Sequence, residues 1–263
     1  MRDNQTDMMK NYVISLPSAA DRRRHIVEQF GREQVTFEFF DAITPDQAQV
    51  IFRQWFPHVG IEMLSAGELA CLVSHLSVWQ QAKAHGLAWV AVFEDDVHLG
   101  QDVGQYLNDA GWLSADWPLI KLETFNQKTI TSSTIALSVG QRVMARLTDE
   151  HYGAAGYLLS QQAIDDTWTQ IGQLDQLKPI DHLIFADNVL RGEWVFQLKP
   201  ALCIQDLQLE SPQKKLPSSL ESHRQGWSRP KAALTAFQKI QREALRLLRH
   251  IRRFILAQRI EFR

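Results

Sequence analysis

Three adjacent carboxylates, Glu94-Asp95-Asp96, close a strand-forming run that begins at Ala88 and includes Val90-Ala91-Val92-Phe93. Like charges this close repel, and burying part of one is expensive unless a cation or hydrogen bonds offset it. Hard divalent cations such as Mg²⁺ and Mn²⁺ prefer oxygen ligands and are often held by one or two carboxylates together with substrate phosphates. Glu94 and Asp96 are two positions apart, so an extended segment points them the same way. A metal there could bridge to a diphosphate and neutralise a departing nucleoside diphosphate. The plainer reading is a solvated turn whose acids cap nearby backbone, and the triplet alone does not choose between the two.

The elements around the triplet follow from hydrophobic period and punctuation. Tyr12-Val13-Ile14-Ser15-Leu16, closed by Pro17, reads as a buried strand. Ser18 to Asp21 fits a capping box opening a helix to about Phe30, and Val35 to Phe40 reads as a second strand ending in Asp41. Strand, helix and strand in this order make a βαβ unit, the start of a mostly parallel sheet. Ser65-Ala-Gly-Glu68 is another capping box, and Leu69, Leu72, Val73, Leu76 and Trp79 recur at helical spacing until His85-Gly86. Further strands are expected at Leu119 to Leu122, Tyr152 to Ser160 and Trp194 to Leu198, with a hairpin from Thr134 to Leu147 around Gly140-Gln141. Helices are expected at Gln161 to Ile171 and Pro179 to Asn188. In open α/β sheets ligands bind beyond the carboxyl ends of strands, where the triplet lies.

The 263 residues are 45% apolar and 22% charged, ordinary values for one large α/β domain or two small ones. Two cysteines, Cys71 and Cys203, are too few for a secreted disulfide framework, and Cys71 reads as a small hydrophobe in a reducing compartment. The first residues lack the apolar core of a signal peptide, so a cytoplasmic protein is expected. The net charge of −2 hides an asymmetry: Arg229 to Arg263 carries 10 Lys/Arg against 2 Asp/Glu, net +8, and the remainder is net −10. Ala232 to Arg259 reads as a helix, apolar along Phe237, Ile240, Leu247, Ile251, Phe254 and Ile255 and basic on its other side. Such a helix can lie on an anionic membrane, or it can dock by its apolar stripe on the domain. Nucleic acid is not expected, because the rest of the chain is acidic and carries no recognition motif.

Several segments together resemble glycosyltransferase family 25. They are Tyr12 to Leu16 with Asp21-Arg22-Arg23, Gly67-Glu68-Leu69-Ala70-Cys71-Leu72-Val73-Ser74-His75-Leu76-Ser77-Val78-Trp79, Val92 to Val97, Gly153 to Ser160 and Pro179-Ile180-Asp181-His182-Leu183. The likeness covers roughly residues 10 to 210, in order. It implies an α/β fold of GT-A type, a Rossmann-like mixed sheet flanked by helices, with the basic amphipathic helix as a C-terminal extension. The division expected is a glycosyltransferase domain at 1–210, a linker or mobile loop at 211–230 and the membrane-associating helix at 231–263. It further implies inverting transfer of galactose or glucose from a UDP-sugar to a lipid-linked oligosaccharide of lipopolysaccharide or lipooligosaccharide. The expected place is the cytoplasmic face of a bacterial inner membrane, and the expected cofactor is Mn²⁺ or Mg²⁺ at a D-x-D-type motif.

Glu94-Asp95-Asp96 stands at that motif with Glu for its first Asp, which makes Asp96 the firmer ligand and Glu94 the second; His223 is a third candidate. Ser15 and Leu16 end the first strand, where the nucleoside is expected, and Ser74, His75 and Asp95 belong to the same donor pocket. Arg22 or Arg23 can reach donor phosphates as charge-assisted donors, or simply solvate a basic helix face. Asp41 suits a ribose or uracil contact equally with a strand-end turn. Asp181, after Pro179 at a helix start, is the expected general base, against a plain helix N-terminal acid. Two other classes use the same features: a metal-dependent phosphoryl or nucleotidyl transferase, and a membrane-bound scaffold of this fold without catalysis.

Overall fold

The computed structural model describes residues 9–192, 194–209, 216 and 250–263. An eight-stranded mixed sheet runs through it in the order β2-β1-β3-β9-β5-β10-β8-β7. These strands are β1 (Met9–Ser15), β2 (Glu38–Asp41), β3 (Trp89–Glu94), β5 (Leu119–Lys121), β7 (Ile135–Ala136), β8 (Val143–Arg146), β9 (Gly156–Ser160) and β10 (Val195–Lys199). A smaller sheet joins β4 (Val97–Leu99), β11 (Cys203–Gln205) and β6 (Glu123–Thr124). The expected βαβ unit is present, with β1 parallel to both β2 and β3. Parallel pairing does not continue across the sheet: β9 lies antiparallel between β3 and β5, and the expected hairpin pairs β7 with β8.

Both faces of the sheet are covered, as the unbroken apolar runs of β1 and β3 require. Tyr12, Ile14, Val90 and Val92 pack on one side against α2 (Pro45–Trp55), α3 (Ala66–Ala84) and α5 (Gln161–Gly172). Val13, Ala91 and Phe93 face the other side, with α1 (Ala20–Arg32) and α4 (Gly104–Leu107). The central helix α3 is buried almost all round, which is why its sequence is apolar beyond a single stripe. Its capping box forms as expected, Ser65 Oγ accepting from the Glu68 amide while Glu68 accepts from the Ser65 amide. Caps of this kind contribute about 1 kcal/mol, and this one accounts for Glu68 at its position.

Some local expectations are corrected. Helix α1 starts from Ala19 without a side-chain cap and passes through Gly31, so the Ser18 capping box does not form. Sequence reading missed α2, although Thr44, Pro45 and Gln47 carry its start signal, a capping box with Pro at the first turn. The segment after Pro179 is helical but begins as a π turn, His182–Ala186, that runs into α6 (Asp187–Leu190). In the basic tail, residues 250–256 are helical, but the helix stops before Arg259. The chain then extends: Gln258 bridges Thr129, Phe262 bridges Ala201, and Ile260 is buried. The rest of the expected helix and nearly all of the linker lie outside the described residues. No helix among the described residues is long and apolar enough to cross a membrane.

Candidate active site

The acidic triplet sits where β3 ends and a tight turn leads into β4. Each acid meets a different environment. Asp95 is buried and fully engaged: Ser15 Oγ donates to Oδ2 at 2.7 Å, and Arg22 on α1 ion-pairs with Oδ1. Glu94 Oε2 accepts from Gln205 on β11 at 3.2 Å, while Oε1 faces the Cys71 thiol at 3.9 Å and His75 Nε2 at 3.5 Å. Burial would raise the Glu94 pKa, but His75 and then Arg22 outweigh it and hold the group below its ordinary value. Asp96 has the weakest support. Its Oδ2 is 3.8 Å from Arg22, and its Oδ1 is buried with no hydrogen-bond partner. Burial, with Glu94 and Asp95 as nearby like charges, pushes the Asp96 pKa up to about 7. The turn corrects the expectation of an extended 94–96 segment, yet Glu94 and Asp96 remain close enough to repel.

The His75 ring is fixed from behind. Trp79 Nε1 can only donate, and it donates to Tyr157 Oη at 3.1 Å. Tyr157 Oη also lies 2.7 Å from His75 Nδ1, which fixes the ring with Nε2 directed at Glu94. Tyr157 thus belongs to the core, but its hydroxyl orients the site.

A second layer ties the opposite wall together. Lys121 is fully buried; it donates to the carbonyls of Tyr152, at 2.8 Å, and Gly153, lies 3.4 Å from Glu123, and covers the Phe185 ring. Burial lowers its pKa, against the pull of Glu123 and Asp181. The clamped loop then serves both acids: the Gly153 amide donates to Asp181 at 3.3 Å, and the Ala155 amide to Glu123 at 2.8 Å. Ala155 also accepts from the Glu94 amide at 3.0 Å, which joins the loop to β3. The glycines are needed here. A Cβ on Gly153, at φ +87°, would lie 2.6 Å from the Glu123 carboxylate, and one on Gly156 would lie 2.2 Å from Cys203 Sγ. Asp181 also accepts from the His182 amide at 2.9 Å, and its charge helps raise the Cys71 pKa after burial and Glu94. It therefore belongs to the same electrostatic cluster as the triplet.

The structure brings together Ser15, Arg22, His75, Glu94, Asp95, Asp96 and Asp181. Arg23 and Asp41 lie at the rim: Arg23 Nη2 donates to the Ser15 carbonyl at 3.0 Å, its Nε to the Leu16 carbonyl at 3.2 Å, and the guanidinium pairs with Asp41. Asp41 keeps 69% of its side chain in solvent, and Leu16 is half-buried just beyond β1. Ser74 is buried and fully occupied, donating to the Ala70 carbonyl and accepting from the Ile43 amide at 2.9 Å, so it fastens a loop. His223 lies outside the described residues. Sequence reading missed Glu123 and Gln205; Cys71, read as a small hydrophobe, does pack half-buried against the core and in addition faces Glu94. The available signal for Cys71 was its i,i+4 spacing from His75 on one helix.

Asp96 generates a test on stability. A carboxyl whose folded pKa is raised binds a proton more tightly folded than unfolded, so stability falls as pH climbs from about 4 toward 7. The full effect corresponds to at most about 4 kcal/mol. Asp96→Asn should therefore stabilise the metal-free protein, and by more at pH 8 than at pH 5, in denaturant titrations with EDTA. An equal effect at both pH values, or destabilisation at pH 8, would show that the group does not titrate there.

Comparison with known proteins identifies the family. Residues 8–184 match the family described as "Glycosyltransferase family 25 (LPS biosynthesis protein)". The lacto-N-neotetraose biosynthesis glycosyltransferase LgtB of Neisseria meningitidis serogroup B is 37% identical over 76% of this chain and 76% of its own. The lipooligosaccharide biosynthesis protein lic2B of Haemophilus influenzae is 35% identical over 82% and 83%. A crystal structure of a glycosyltransferase involved in glycosylating the major capsid of PBCV-1 aligns at TM-score 0.30 with 8% identity, over 63% of this chain and 68% of that one, and carries no weight here. With its acids gathered at the end of β3 and two thirds of its length matched by the family, this chain belongs to glycosyltransferase family 25 and is a lipooligosaccharide glycosyltransferase.

Proposed function

We propose that the chain moves a hexose, galactose by preference and glucose as runner-up, from a UDP-sugar to a lipooligosaccharide or lipopolysaccharide acceptor, with inversion. The observation that carries this reading is Asp96, a half-buried carboxylate with one buried, unpartnered oxygen at the carboxyl end of parallel strands, beside Arg22. Such a donor set fits Mn²⁺ or Mg²⁺, with Asp96 and Glu94 as the residues that would hold the ion. When bound, the ion supplies positive charge to the donor diphosphate. Arg22 adds its own charge from the other side, held in place by Asp95. The end of β1 at Ser15 and Leu16, with Arg23 and Asp41 at its rim, forms the nucleoside wall of a GT-A arrangement.

Asp181 is the proposed base. It takes the proton of the acceptor hydroxyl as that oxygen attacks the sugar carbon, while the UDP leaves from the opposite face. Its two amide donors, Gly153 and His182, fix the carboxylate on the loop–helix junction. Asp181→Asn should lower kcat about 100-fold or more, the usual scale of general base catalysis, while UDP affinity stays within a few-fold. Turnover that survives the change would remove Asp181 from the mechanism.

The proposed place of action is the cytoplasmic face of the inner membrane, reached through the C-terminal segment. At residues 250–256, Arg253 donates to the Lys128 carbonyl and sits 2.9 Å from Asp149, and Arg252 donates to the Thr148 carbonyl. These contacts leave Ile251, Phe254, Ile255 and Leu256 in solvent, Phe254 by 87%. Apolar side chains held outward beside further basic residues suit insertion at a membrane interface. Replacing Phe254 and Ile255 together with Asp should abolish co-sedimentation with phosphatidylglycerol-containing vesicles and leave turnover on a soluble acceptor intact. Undiminished co-sedimentation would place the membrane contact elsewhere.

A further inference from the structure

We infer that Cys71, His75 and Glu94 form a second cation site, selective for a thiophilic divalent ion such as Zn²⁺, which shares Glu94 with the all-oxygen position at Asp96 and differs from it by its sulfur and nitrogen ligands. Cys71 and His75 are four residues apart on α3, so helical geometry puts them on one face, and β3 delivers Glu94 opposite. One ligand atom from each of the three lies within 4.8 Å of the other two. The Glu94 Oε1 to His75 Nε2 separation is 3.5 Å, and to Cys71 Sγ 3.9 Å. Neighbouring ligands on tetrahedral zinc, with bonds of about 2.0–2.3 Å, stand roughly 3.3–3.8 Å apart. Closing this trio on an ion therefore needs only small side-chain adjustments.

A second observation points at a ligand. His75 is completely buried, yet its Nε2 has no hydrogen-bond partner and is aimed at the Cys71 and Glu94 atoms. Leaving a buried nitrogen unsatisfied is costly, and a metal bond removes that cost. The support behind the ring suits a ligand histidine as well. Tyr157 Oη contacts Nδ1 at 2.7 Å, the outer-layer contact that fixes a metal-bound imidazole. On binding, the Cys71 thiol gives its proton to solvent and its sulfur bonds the ion. The imidazole carries its single proton on Nδ1, toward the Tyr157 oxygen, and Nε2 bonds the ion. Glu94 binds as a carboxylate, and the fourth position is left to water. Hard Mn²⁺ and Mg²⁺ have little affinity for a thiolate, whereas Zn²⁺ and Co²⁺ accept sulfur, nitrogen and oxygen together.

The test uses the untagged full chain, stripped of metal, titrated with Co²⁺ and then with Zn²⁺ in the absence of nucleotide. The expected result is a thiolate-to-cobalt charge-transfer band that saturates at one ion per chain and is bleached by Zn²⁺. Cys71→Ser should remove the band and weaken Zn²⁺ binding about 100-fold or more, and Cys71→Ala should do the same if serine perturbs the fold. Asp96→Asn should leave the band in place. Failure of UDP binding at Asp96 would not affect this outcome, so the two readings can fail separately. No band, or a band that survives in both Cys71 variants, overturns the site.

Discussion

Charge repulsion among Glu94, Asp95 and Asp96 is the constraint around which the neighbouring elements are arranged. The strand ahead of them is driven into the core by its apolar side chains, and that places the acids where water is scarce. Each acid is then met by a different element. Asp95 takes Ser15 from β1 and Arg22 from α1; Glu94 takes Gln205 from β11 and faces Cys71 and His75 from α3. Asp96 is left with one distant guanidinium, and its pKa of about 7 registers the shortfall. Fold and site are in this sense one problem: α1, α3 and the small sheet all converge on the end of a single strand.

The wall opposite the triplet is built on the same logic with the signs exchanged. Buried Lys121 would be costly alone, and it is stabilised by carbonyls of the Tyr152–Gly153 loop and by Glu123. The loop held in this way turns its amides outward to Asp181 and Glu123. Removing either glycine would drive a Cβ into Glu123 or Cys203, so the small residues are what allow the loop and the acids to approach. Burial raises the Glu123 pKa to about 7, beyond what Lys121 offsets. The centre therefore holds two carboxyl groups, Asp96 and Glu123, that sit at the boundary between neutral and charged at physiological pH.

Much of this was legible in the sequence, because β1, α3, β3, α5 and β10 announce themselves through unbroken apolar runs, helical spacing and a capping box. The triplet, Arg22 and Asp181 were legible as polar residues near element ends, whereas His75, in the middle of α3, stood out only through the family resemblance. Long-range pairing was not legible. Nothing local says that β9 inserts antiparallel between β3 and β5, or that Cys203 and Gln205 return on β11 to the acids. Cys71 packs against the core as its apolar helix pattern suggests, but its approach to Glu94 was not legible, because the partner comes from β3. The tail shows the same limit. Its helical period carried the expected helix to Arg259, but sheet-like contacts with Thr129 and Ala201 stop it earlier and return Ile260 to the core.

The central claim is that the open carboxylate of Asp96 completes a site for a nucleotide together with a hard cation. Calorimetric titration of UDP into the full chain, with Mn²⁺ and with EDTA, tests it most directly when repeated on Asp96→Ala. The expected result is UDP binding that requires Mn²⁺ and disappears in the variant. UDP binding of equal strength with EDTA, or unchanged in Asp96→Ala, would contradict the claim and leave the triplet as a structural turn.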